Sequence, residues 1–294
     1  MSSQSAPEIV LDHVCELGEG PVWDEVNQRI LWLDIKKGLI HQYNINSGLH
    51  SFFNVGEMVG SIALRESGGF IAGLENGIAF INVEKNSVQH IINPEEGLGN
   101  RFNDGKCDAA GRFWVGTMSK KEEENKGNLY VMETDLSVKK KIENVTISNG
   151  IAWNADNTIM YYINTPTDYI FAFDFNIETG EINTQRVVID LTHESGHADG
   201  MTIDEEGMLW IAFYGGWRVA RYDPNTGNLL QQLELPVENV SCCTFGGADL
   251  NDLYVTTVSQ NMSEELLKQQ PHAGKLFVVK NCGVKGLLPK KFKG

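Results

Sequence analysis

Six short segments of this chain share one pattern, a polar or glycine-bearing turn followed by an aromatic or β-branched run: Gln28–Asp34, Gly69–Gly73, Gly111–Gly116, Asn157–Ile163, Glu206–Ala212 and Asn251–Thr256. Their middle residues, Trp32, Ile71, Trp114, Tyr161, Trp210 and Tyr254, follow one another at intervals of 39, 43, 47, 49 and 44 residues. That is the period of β-propeller blades, units that bury their apolar faces only by packing against neighbours. Six units predict an all-β, six-bladed β-propeller. At 294 residues the chain allots 49 to each blade, so residues 1–294 are expected to form a single domain.

Each unit continues into a further strand that ends in a turn, as in Ile170–Asp174 before Glu178-Thr179-Gly180 and Val219–Asp223 before Asn225-Thr226-Gly227. Alternating apolar and polar positions with a glycine-bearing turn are hairpin chemistry. One helical turn is expected over Ser263–Gln270, with Leu266 and Leu267 inside and Pro271 as its stop. Blades packed radially surround a central channel, where loops distant in sequence converge. A functional site is therefore to be sought once per blade, not in one local motif.

Charge narrows the partners. With 24 basic against 39 acidic residues the net charge is −15, which argues against nucleic acid and anionic membranes and favours a cation or a neutral small molecule. The four lysines of Lys285–Lys293 read as a solvated terminus. Five cysteines without a Cys-x-x-Cys spacing point to a reducing compartment, with Cys242 and Cys243 as core residues of a strand. Met1–Glu8 carries neither a basic flank nor an apolar stretch, and no long uncharged apolar run follows. A soluble, cytoplasmic protein is the expectation.

Polar residues among glycines, next to the aromatic strands, are where chemistry can sit. Leu17-Gly18-Glu19-Gly20-Pro21 places a carboxylate in a glycine-rich loop; Arg101-Phe102-Asn103-Asp104-Gly105-Lys106, Ile147-Ser148-Asn149-Gly150 and His197-Ala198-Asp199-Gly200-Met201 precede the third, fourth and fifth aromatic strands. Taken singly, Asx-Gly pairs make turns. Their recurrence at equivalent places argues for a shared role. Glu19, Asn149 and Asp199 together form an all-oxygen set of two carboxylates and one amide, suited to a hard divalent cation with positions left for water and substrate. No histidine has zinc-site spacing, and His193 and His197 read as surface or capping residues. No Gly-x-Ser-x-Gly elbow supports a serine nucleophile.

These segments, with Gly116-Thr117-Met118, Cys243-Thr244-Phe245-Gly246-Gly247 and Gly283-Val284-Lys285-Gly286, occur in an order that resembles the senescence marker protein-30/gluconolactonase family, which includes luciferin-regenerating enzyme and bacterial sugar-acid lactonases. The resemblance implies a propeller with one divalent metal in its channel (calcium, zinc, manganese, magnesium or iron(II)) held by Glu19, Asn149 and Asp199. It further implies substrate binding by Arg101 and Asn103, Asp199 as catalytic base, and an N-terminal strand near 8–12 that pairs into the last blade and removes an exposed sheet edge.

Two positions depart from the family pattern. Where relatives carry a substrate-contacting Glu this chain has Lys121, so Glu122 and Glu123 become the candidates for that contact; where many carry Asp it has Asn164, with one negative charge fewer. The implied activity is metal-assisted hydrolysis of a sugar-acid lactone, of gluconolactone, xylonolactone or arabinonolactone type, by a monomer or weak homo-oligomer. A non-catalytic metal-binding or protein-docking propeller is the alternative, since one fold hosts many functions. The polar loop Ser119–Asn125 sits where a lid over the channel mouth is expected.

Overall fold

Each apolar run named above becomes the second strand of a four-stranded antiparallel sheet in the computed structural model, which describes residues 5–294. The innermost strands of the six sheets are Gly18–Asp24, Val59–Leu64, Asn100–Cys107, Ser148–Trp153, His197–Ile203 and Val240–Gly246. Successive innermost strands pack against one another around the ring. The second strands are Arg29–Asp34, Phe70–Leu74, Phe113–Ser119, Ile159–Asn164, Leu209–Tyr214 and Asp252–Thr257. They are apolar because both their faces are covered by neighbouring blades. Trp32, Trp114, Trp210 and Tyr254 are almost fully enclosed there, and each such side chain contributes about 1.5–3 kcal/mol of burial free energy or more. Outer strands such as His50–Asn54 and Ser87–Ile92 alternate toward solvent instead.

Two of the indoles are fixed by the same device. Trp114 donates through Nε1 to Asp108 at 2.9 Å, and Trp210 donates to Asp204 at 2.9 Å; Arg112 and Arg221 pair with those carboxylates at 2.7 Å. In both cases the aspartate lies six residues before the tryptophan and closes the turn between strands.

The ring closes through Glu8–Ile9, which pairs antiparallel with Phe277–Val279 as the outermost strand of the last blade. The ladder is shorter than the expected 8–12: Val10 N still donates to Leu276 O, and Asp12 lies beyond it, joined to the last blade only through its side chain, which accepts from Lys275 Nζ. Residues 1–4, part of the stretch read for a leader, lie outside the described residues.

Three sequence expectations change. A helix does form at Glu264–Gln269, capped by Ser263 Oγ, yet Leu266 and Leu267 are 38% and 37% exposed, because six residues on the surface present no stripe long enough to bury. The lysine-rich tail is a strap, not a free terminus. Gly286 bridges to Asp204, Phe292 bridges to Arg65 and is fully buried, and Lys293 N donates to Gly111 O. Finally, the glycine-rich site segments are not loops but the innermost strands themselves. All five cysteines are buried free thiols, and among the described residues no helix is long and apolar enough to cross a membrane.

Candidate functional site

Every innermost strand breaks register with its second strand at the same place in the blade. In four blades the break sets two residues of the inner strand against one of its partner: Gly20-Pro21 against Trp32, Asn103-Asp104 against Gly116, Asn149-Gly150 against Ile163, and Asp199-Gly200 against Ala212. Such bulges re-aim side chains and cluster beside functional sites. These four blades are also the ones that supply Glu19, Asn103, Asn149 and Asp199.

The glycines have a steric role here. A Cβ on Gly150 would stand 2.5 Å from Met201 Cβ, and one on Gly200 would stand 2.2 Å from Cys242 Sγ. Neither glycine has a positive φ, so the Asx-Gly pairs are strand residues packed against the next blade. They are not turns.

Glu19, Arg101, Asn103, Glu122, Asn149 and Asp199 all border one cavity of about 460 Å³ at the end of the channel where the inner strands begin. A chain of hydrogen bonds runs around its wall. Arg101 donates to Asn103 Oδ1 at 2.7 Å, and Asn103 Nδ2 donates to Asn149 Oδ1 at 2.9 Å and to Ser148 O at 2.7 Å. Asn149 Nδ2 donates to Thr165 Oγ1 at 2.6 Å, which in turn donates to Ala198 O at 2.9 Å. Both donor hydrogens of Asn103 are thus committed and the Asn149 amide is fixed in one orientation, leaving its Oδ1 one further lone pair.

Electrostatics at the channel floor are set first by burial and then by like charge. Burial raises the Glu19 carboxyl to about 8, with Asp104 adding repulsion while the Gly20 N–H and Arg101 pull it down. Burial, then Glu19 and Asp104, push Asp199 well above the carboxylate range, and Arg101 opposes them. Asp104 is raised by burial and partly relieved by Lys106, whose Nζ crosses to Met201 O at 2.8 Å. Arg101 is lowered to about 10 by burial, against the pull of Glu19, Glu122, Asp199 and Glu75, and stays cationic at neutral pH. Asp199, buried, and Glu19 and Asp104, half-buried, thus share the channel floor with Arg101 and Lys106. Glu19, Asn149 and Asp199 all line the cavity, and two carboxylates with an amide oxygen are the donor types a hard divalent ion takes, whose charge would relieve the repulsion.

The two substituted positions resolve differently. Glu122 occupies the left-handed region at φ +58° in a turn closed by its N–H to Ser119 O, and its side chain reaches the cavity and is felt by Arg101. Glu123 does not border the cavity; it accepts from Ser119 Oγ at 3.2 Å. Asn164 also stays outside it, its Oδ1 accepting from the backbone N–H groups of Thr146 and Ile147. An amide suffices for that cap.

Met118, Thr165, His197, Tyr214 and Gln260 also line the cavity, and sequence reasoning missed them. A signal was present. Met118, Thr165 and Tyr214 each stand four residues after the central aromatic of their repeat, and Glu75, at the same offset in the second blade, anchors the Ser119–Asn125 loop through Lys120 at 2.9 Å. His197, read as a surface residue, stands at the cavity rim with Nδ1 2.8 Å from Asp168 Oδ1.

Comparison with known proteins now adds to this geometry. Residues 17–259 match the family model described as SMP-30/Gluconolactonase/LRE-like region. Regucalcin of Oryctolagus cuniculus is 39% identical over 293 residues, covering 98% of each chain. Among solved structures, a luciferin-regenerating enzyme superposes with a TM-score of 0.93 at 30% identity, covering 99% of this chain and 100% of that one. A regucalcin from Agrobacterium tumefaciens, described as a calcium-binding protein, gives 0.94 at 26% identity, covering 99% and 98%.

Proposed function

The chain belongs to the SMP-30/gluconolactonase/LRE-like family, and from that premise we propose that it is a metal-dependent hydrolase that opens a small sugar lactone to its aldonic acid. One observation carries the reading: six polar residues from blades 1, 3, 4 and 5 line a single cavity, and two of them, Glu19 and Asp199, are carboxyls that burial and mutual repulsion keep from ionising. A docking platform has no use for such an inward set.

Glu19, Asn149 and Asp199 are the residues that hold the cation. Calcium is the first candidate, since the donors are all oxygen and the Agrobacterium relative is described as calcium-binding. When bound, the ion supplies Lewis-acid polarisation of an ester carbonyl. The remaining steps belong to side chains. Asp199 takes the proton from the attacking water, its carboxylate lying on the wall of the same cavity as Arg101 and Asn103. Arg101, held by Asn103, presents its remaining N–H groups to substrate hydroxyls or to the oxyanion that develops. Glu122, opposite Arg101 at the rim, accepts from a ring hydroxyl and so contributes to the choice among lactones.

Asp199→Ala and Glu19→Gln, purified and analysed for bound metal, test the assignment. Both occupancy and lactone turnover are expected to fall together in each variant while far-ultraviolet circular dichroism stays unchanged. Full turnover in either variant would remove these residues from the site.

A further inference from the structure

Outside the lining of the channel cavity, two side chains of the incoming N-terminal segment meet two histidines on the third and fourth strands of the first blade. One donor atom from each of His13, Cys15 and His41 lies within 4.8 Å of the others. We propose that these three residues form a second metal site, selective for a zinc-class ion, that staples the joint where the propeller ring closes.

The polypeptide brings them together by simple rules. His13 and Cys15 are two apart in an extended segment whose side chains alternate between solvent and protein, so both point inward while Asp12 and Val14 point out. His41 sits directly across from Trp32 in one ladder and from Phe52 in the next, and His50 is two residues before Phe52 on the same face.

Cys15 and His41 are 1% and 0% exposed. Neither His41 Nε2 nor His13 Nε2 has a hydrogen-bond partner, although both are buried. An apolar packing role leaves such atoms costly. A metal ion satisfies them together.

The surroundings set the donors for metal. His41 Nδ1 lies 3.2 Å from His50 Nε2; with His41 donating there, its Nε2 carries the lone pair, which is how outer partners orient ligating histidines. Trp32 stacks on His41 with ring centroids 4.9 Å apart and donates from Nε1 to Cys15 Sγ at 3.4 Å; burial and Asp34 outweigh that contact and raise the thiol to about 12, so it ionises only as a metal binds. Burial lowers His13, His41 and His50 from the usual imidazole range, so all are neutral ligands at neutral pH.

Zinc–sulfur and zinc–nitrogen bonds of about 2.3 and 2.0–2.1 Å put tetrahedral donors roughly 3.3–3.6 Å apart, so closure by about an ångström completes the site, with water as the fourth ligand. The Cys15 thiol proton goes to solvent as the metal–sulfur bond forms. Sulfur and imidazole donors separate this site from the all-oxygen channel floor, which prefers harder ions.

The location gives the site a purpose. His13 and Cys15 lie between Glu8–Ile9, the outermost strand of blade 6, and Gly18–Asp24, the innermost strand of blade 1. An ion bound there ties the last blade's closing strand to the first blade and stabilises the native ring by preferential binding.

Cobalt(II) and zinc(II), each added alone to the metal-stripped full chain, provide the test. One equivalent of cobalt is expected to produce a thiolate-to-cobalt charge-transfer band in the wild type and equally in Asp199→Ala, and to be displaced by zinc with loss of the band. Cys15→Ser should abolish the band while keeping lactone turnover and circular dichroism. His13→Gln, on a segment outside any strand, should weaken cobalt binding by at least about tenfold. Zinc should raise the melting temperature of Asp199→Ala but not that of a Cys15→Ser, Asp199→Ala double variant. The proposal is overturned by a wild type that gives no band at stoichiometric cobalt, by a band that survives Cys15→Ser, or by equal cobalt affinity in His13→Gln.

Discussion

Glu19, Asp104 and Asp199 hold their protons more tightly in the folded, metal-free protein than in the unfolded chain, because burial disfavours all three charged forms and repulsion adds to it at Glu19 and Asp199. A native state that binds more protons loses stability as pH rises. For Glu19 the window runs from 4.5, its ordinary value, to about 8. In excess chelator the melting temperature is therefore expected to fall between those pH values, to recover on addition of a divalent cation, and to fall less steeply in Glu19→Gln. A metal-free protein as stable at the upper limit as at the lower would contradict this account of the channel floor. Arg101 separates positioning from metal binding. It cannot ligate a cation, so Arg101→Ala should keep full metal content and lose roughly a hundredfold or more in kcat/KM on lactones; unchanged kcat/KM would place Arg101 outside the reaction.

Bulges in the inner strands convert a regular sheet edge into a site, and aspartates buried behind the second strands keep those strands in place. Asp204 is fully enclosed with Arg221 and the Trp210 indole as partners, so Asp204→Ala leaves the Trp210 N–H without an acceptor and the Arg221 guanidinium with only the exposed Glu206 as counter-ion. A loss of about 1–3 kcal/mol is expected, read as a lowered calorimetric melting temperature; a change within about 0.5 kcal/mol would show that the pair is dispensable. The Ser119–Asn125 loop supplies a finer test. Glu122→Ala should alter the ranking among lactones at constant metal content, whereas Glu123→Ala should leave it unchanged, since only Glu122 reaches the cavity. Identical rankings for both variants and the parent would make the loop a mere connection. The second strands were legible in the sequence because Trp32, Trp114 and Trp210 mark a fully buried layer at blade spacing. Inner strands read as loops, because Asn149-Gly150 and Asp199-Gly200 carry turn chemistry while the glycines actually serve close packing around the channel. Thr165 and Tyr214 stayed hidden since their role comes from position at a strand end, not from residue type.

At the scale of the whole molecule, a net charge of −15 surrounds a channel whose floor is itself short of positive charge, a field that draws in cations and leaves neutral lactones unhindered. The C-terminal strap from Gly286 to Phe292 crosses the opposite end, with Pro289 and Lys290 bordering Asp104, Lys106 and Cys242. Site and strap thus occupy the two ends of the same inner strands, and the ring that holds them is closed by an N-terminal strand of only two residues. Everything proposed for the channel depends on one coupling, between a divalent ion bound there and turnover of a cyclic ester. The direct measurement is acid release from a panel of sugar lactones by the full chain, stripped with chelator and reloaded with calcium, zinc, manganese, magnesium or iron(II) one at a time. The account predicts no turnover above background in the stripped protein and its return with at least one cation at a stoichiometry of about one. Turnover that survives complete stripping, or that no cation restores on any lactone, would contradict it.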